Sequence, residues 1–143
     1  MELTTFRMVL RFTLQLEDQT AQFYRNLAAE GKFAQAKELF ARFAENSAKR
    51  KRELERTARE SVDHSLLEPV SGIFEETYSV DTTCSDGTTF TDAVTSARKL
   101  EERMQRFYTE AGDKIKFISN VNRLYRRYAQ DRAKALTTLQ GLA

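Results

Sequence analysis

Two stretches of this chain are written twice. LEDQTAQFY at 16–24 returns as LEERMQRFY at 100–108, with Leu, Glu, Phe and Tyr at the same places. LFARFAENSAKRKREL at 39–54 returns as LYRRYAQDRAKALTTL at 124–139, matching Leu39 with Leu124, Phe40 with Tyr125 and Phe43 with Tyr128. Ala44 with Ala129, Ala48 with Ala133 and Leu54 with Leu139 follow in the same register. The offsets of the two matches differ by one residue, which a hairpin turn absorbs. The economical reading is one helical hairpin present twice, packed about a pseudo-twofold axis.

Helix is the only element that suits these stretches. Charged residues make up 31% of the 143 positions and Gly plus Pro number six, a composition of long helices rather than of sheet or disorder. Four segments carry the 3.6-residue apolar period, at about 5–30, 32–61, 89–113 and 114–140. The first ends at Gly31 and the second follows at once, so the two form an antiparallel hairpin. In TFTD, Thr89 stands three residues before Asp92 in a capping-box pattern that opens the third helix. A looser segment at about 62–88, with the only proline, is a crossover between hairpins. The predicted fold is all-α, a single four-helix bundle over 1–143 with ferritin-like connectivity.

At about 100° per residue the inward stripes are Phe6, Leu10, Thr13, Glu17, Thr20, Tyr24 and Leu27 on the first helix, and Ala36, Phe40, Phe43, Ser47, Arg50 and Leu54 on the second. The third presents Ala97, Glu101, Met104, Tyr108 and Ala111. The fourth presents Val121, Tyr125, Tyr128, Arg132, Ala135 and Leu139. Each stripe is interrupted at mid-height by a polar residue: Glu17, Ser47 with Arg50, Glu101, and Arg132. The basic run at 49–52 is therefore not one patch. Lys49 and Arg52 point outward, Lys51 lies on a flank, and Arg50 sits on the inner stripe.

The doubled pattern, a glutamate seven residues before the tyrosine of Phe-Tyr and then an aromatic-Ala pair on the next helix, resembles the rubrerythrin-type ferritin-like family over nearly the whole chain. The resemblance implies a di-iron centre built from one Glu on each of two helices and a Glu-x-x-His pair on each of the others. Glu17 and Glu101 stand at the single-glutamate positions. The Glu-x-x-His positions hold Ser47 and Arg50 in the second helix, and Arg132 and Ala135 in the fourth. One histidine, His64, toward the crossover, cannot supply one imidazole per repeat, and one cysteine, Cys84, cannot supply a rubredoxin module. The expectation is a degenerate site with no metal, no cofactor and no catalytic residue. A core cluster in which Arg50 and Arg132 neutralise Glu17 and Glu101, helped by the hydroxyls of Tyr24 and Tyr108, replaces the iron. His64 and Cys84 receive no role.

The leading functional reading is a metal-free ferritin-like domain acting by association, as a homodimer or with another protein. Apolar crossover residues Leu66, Leu67, Ile73 and Phe74 are available for a second chain. The alternative is a metal oxidoreductase holding iron through unconventional carboxylates such as Glu45, Glu53 or Asp131. Nucleic-acid binding through Lys49, Arg52, Arg56, Arg59, Arg123, Arg126 and Arg127 is disfavoured by interleaved acids and a net charge of only +2. A small-anion pocket at Arg50 and Arg132 is a fourth reading. Arginines alternate with apolar residues through 1–16, so neither a signal peptide nor a membrane span is expected, and a reducing cytoplasm is the expected setting.

Overall fold

Four helices realise the four periodic stretches: α1 (Phe6–Ala29), α2 (Lys37–Glu60), α3 (Phe90–Lys114) and α4 (Ser119–Gln140). They form an all-α, ferritin-like four-helix bundle in this computed structural model, which describes residues 1–29, 31–60, 66–83 and 87–142. α1 packs extensively on α2, and α3 on α4, while the two hairpins meet more sparsely through α2–α4 and α1–α3. No helix among the described residues is long and apolar enough to cross a membrane.

Both hairpin turns are longer than the apolar period predicts, for one reason: each turn buries its own apolar side chain. Gly31–Ala36 is a 3₁₀ stretch with a kink at Phe33 (φ −108°, ψ 33°), whose ring is buried. The kink re-aims the chain, so α2 begins at Lys37 rather than 32. Between α3 and α4, Ile115 and Ile118 are buried, which delays α4 to Ser119 rather than 114. The Asn122 side-chain amide donates to the Gly112 carbonyl at 2.7 Å, meeting one of the acceptors that a helix end leaves open. At the other end of α3, Thr89 is the N-cap, and its hydroxyl accepts from the Asp92 N–H at 3.0 Å.

The N-terminal residues make a pairing that no helical period announces. Leu3 N–H donates to the Ile73 carbonyl, Val70 N–H to the Thr4 carbonyl and Glu75 N–H to the Met1 carbonyl, at 2.8 to 3.1 Å. Extended residues 1–5 thus hold the crossover against the bundle. Arg103 of α3 adds donation to the Thr77 and Ser79 carbonyls. One consequence corrects the expected exposed crossover face. Ile73 is buried and Leu66 packs against the core, leaving Leu67 and Phe74 exposed.

Inward stripes coincide with buried residues on all four helices, with two exceptions. Leu10 is partly buried, and so is Arg50. Lys49 and Arg52 are exposed and Lys51 lies between, where it pairs with Asp18 at 2.9 Å.

Candidate functional site: a Glu–Arg–Glu cluster at the bundle centre

Three charged side chains lie at the centre with about 1% of their surface exposed: Glu17 from α1, Glu101 from α3 and Arg132 from α4. Each terminal nitrogen of Arg132 serves one carboxylate. Nη2 lies 2.5 and 2.7 Å from the two oxygens of Glu17, and Nη1 lies 2.9 and 3.2 Å from those of Glu101. Planar guanidinium geometry makes this possible, since its two terminal nitrogens point to opposite partners while sharing one charge. Burial opposes that charge, but the Glu101 and Glu17 carboxylates outweigh it and hold the guanidinium pKa well above its ordinary value.

Tyrosines complete the cluster, and they do so crosswise. The Tyr24 hydroxyl, on the helix of Glu17, donates to Glu101 at 2.8 Å. The Tyr108 hydroxyl, on the helix of Glu101, donates to Glu17 at 2.5 Å. Burial raises the pKa of both phenols, and the carboxylate that each one faces raises it further. Both therefore stay protonated and remain donors. Loss of either hydroxyl removes a hydrogen bond to a buried charged acceptor. Tyr24→Phe and Tyr108→Phe are each expected to cost about 1.5–3 kcal/mol, read from urea unfolding midpoints. A loss under about 0.5 kcal/mol, the usual range of a surface substitution, would mean that the carboxylates do not need these donors.

Ser47 and Arg50 depart from the expected quartet. Arg132 alone serves both acids, and Arg50 does not reach either. Its Nε lies 3.6 Å from Asp131, at the edge of the bundle, with the side chain 11% exposed. Ser47 is fully buried, and its hydroxyl lies 3.4 Å from Arg132 Nη2. The physical reason is room. Matched positions 47 and 132 carry Ser and Arg, so one small side chain leaves space for one long one. Arg132 fills that space and serves both acids, so Arg50, beside Ala135 at the next matched pair, turns to Asp131 at the periphery.

Beyond the centre, the Tyr125 hydroxyl and Thr13 lie 2.5 Å apart, and Thr13 also donates to the Val9 carbonyl. Tyr128 donates to Glu53 at 2.7 Å, and Glu53 also pairs with Arg127. His64 and Cys84 lie outside the described residues.

The residues at the centre do not fit a di-iron pair. Two carboxylates remain, but the guanidinium of Arg132 already spans both at contact distance, and Ser47, Arg50 and Ala135 offer no further anionic or imidazole ligand. The unconventional carboxylates are also committed elsewhere. Glu45 pairs with Arg52, Glu53 with Arg127, and Asp131 faces Arg50. Among the described residues no three His, Cys, Asp or Glu side chains cluster as metal ligands do. Comparison with protein families matches the rubrerythrin family model over residues 9–134. No curated protein and no solved structure matches significantly.

Proposed function

The chain belongs to the rubrerythrin family, and from that premise we propose that it is a member in which an ion-paired Glu–Arg–Glu cluster replaces the di-iron pair. It works by association rather than by oxygen or peroxide chemistry. The observation that carries this reading is the Arg132 guanidinium, seated between the two glutamates that the family motif retains. Metal-based oxygen chemistry needs ligands that hold the ion and leave a coordination position open. A fixed cation between two carboxylates takes up the acceptors such ligands would supply and repels a second cation.

The test is metal analysis of protein purified from iron-supplemented cells, with its visible spectrum before and after ferrous iron is added in air. The expected result is iron well below one atom per chain and no new absorption band. Two iron atoms per chain would overturn the reading. For the association half, light scattering across a concentration series is expected to give the mass of a homodimer. Exposed Leu67 and Phe74 support such an interface. A strictly monomeric mass at every concentration would leave only a different protein as partner.

A further inference from the structure

Between α2 and α4 the bundle opens into a groove of about 650 Å³ that runs from solvent to the Glu101–Arg132 contact. That volume is in the range of sites that hold small molecules. The groove exists because α2 and α4 pack sparsely and because Ala135 stands where its matched position carries Arg50. We propose that this groove binds a small oxyanion-bearing molecule, a phosphate ester or polycarboxylate, with Arg50 as its innermost anchor.

Three observations converge on an anion. Seven cationic side chains line the groove against three carboxylates, in a chain whose overall excess is only +2. Three of those seven are uncommitted. Arg50, Arg52, Arg127 and Arg132 have acidic partners, but Lys49, Arg56 and Lys134 make no ion pair among the described residues. The third observation is the most specific. Arg50 lines the groove, and its ion pair among the described residues is the long one from Nε to Asp131, at 3.6 Å. A guanidinium so weakly held can turn to a ligand oxyanion, the acceptor that it matches best. Tyr128 and Phe43 form the apolar part of the wall. The charges lie on the sides of a recess rather than along a ridge, which favours a compact anion over a nucleic-acid duplex.

This inference rests on the metal-free reading only in that Arg132 keeps its place; the readout is anion binding, which succeeds or fails separately from metal content. The experiment titrates full-length protein with inorganic pyrophosphate and, in a second arm, with citrate, by calorimetry in a low-chloride buffer. The expected result is saturable binding at one site per chain. R50Q and R56Q should each weaken it by about tenfold or more, the loss that goes with a charge-assisted hydrogen bond. Helical circular dichroism of both variants and the affinity of a K116Q control, far from the groove, should be unchanged. The tighter of the two arms assigns the ligand as phosphate-like or carboxylate-like. Absence of saturable binding in both arms would overturn the proposal. So would unchanged affinity in R50Q and R56Q, or tighter binding of a duplex oligonucleotide that the same substitutions abolish.

Discussion

Arg132→Ala is expected to lose about 3–5 kcal/mol of folding stability, the cost of breaking a buried ion pair from one side. That is a large share of the 5–15 kcal/mol that holds a typical domain together, so the variant should be unfolded or partly unfolded at moderate temperature. Removing the guanidinium leaves Glu17 and Glu101 facing each other at the bundle centre with only the tyrosine hydroxyls and no cation. Arg132→Lys should recover little, because a single ammonium is a point charge and cannot present two separated nitrogens to two acids. The informative companion is the triple variant Glu17→Gln, Glu101→Gln, Arg132→Met, which removes all three charges and keeps the volume. Replacing a whole buried ionic cluster is often neutral or stabilising, so urea unfolding of the triple variant should approach the parent. Equal instability of the single and triple variants would show that shape, not charge, is what Arg132 supplies. Arg50→Ala, by contrast, should cost about 1 kcal/mol or less, since its contact with Asp131 is long and lies near solvent.

Alkaline pH should unfold the protein steeply. All five tyrosines have pKa values pushed up from the ordinary value near 10, in each case by burial first, and all but Tyr125 also donate to a carboxylate. The sign follows from proton counting. Below pH of about 10 both folded and unfolded chains keep these protons, and stability does not depend on them. Above it the unfolded chain releases protons that the folded chain retains, so stability falls until the raised folded values are reached. Tyr24, Tyr108 and Tyr125 are fully buried. Three such groups give a slope of about 4 kcal/mol per pH unit. Tyrosinate absorbance and loss of helical circular dichroism should therefore rise together in one cooperative step above pH of about 10. Three tyrosinates appearing while the helices remain intact would mean that these phenols are not enclosed by the fold.

Much of this centre is legible in the residues because two signals agree. Periodicity puts Glu17 and Glu101 on inward stripes, and the sequence match puts them at equivalent heights. Neither signal separates Arg50 from Arg132. An angle around a helix says that a side chain points inward, but not how deep the neighbouring helices let it go. Both arginines are matched to a small residue, Ser47 or Ala135, so size does not separate them; Asp131, within reach of Arg50, does. The exchange of tyrosine hydroxyls between halves was hidden for a related reason. Two turns separate Tyr24 from Glu17 on one helix, and only the packed bundle shows that its oxygen crosses to Glu101. The pairing of residues 1–5 with the crossover escaped because so short a segment carries no period to read.

Unlike residues at positions 47 and 132 carry a consequence for how such a centre is built at all. Two separate but identical hairpins meeting face to face would bring the same residue to both places, either two serines and no cation or two arginines crowding one space. Holding a pair of acids with a lone guanidinium is open to a chain whose two hairpins carry different residues at these places. The difference between Ser47 and Arg132 is what lets symmetry be broken where the charge balance demands it.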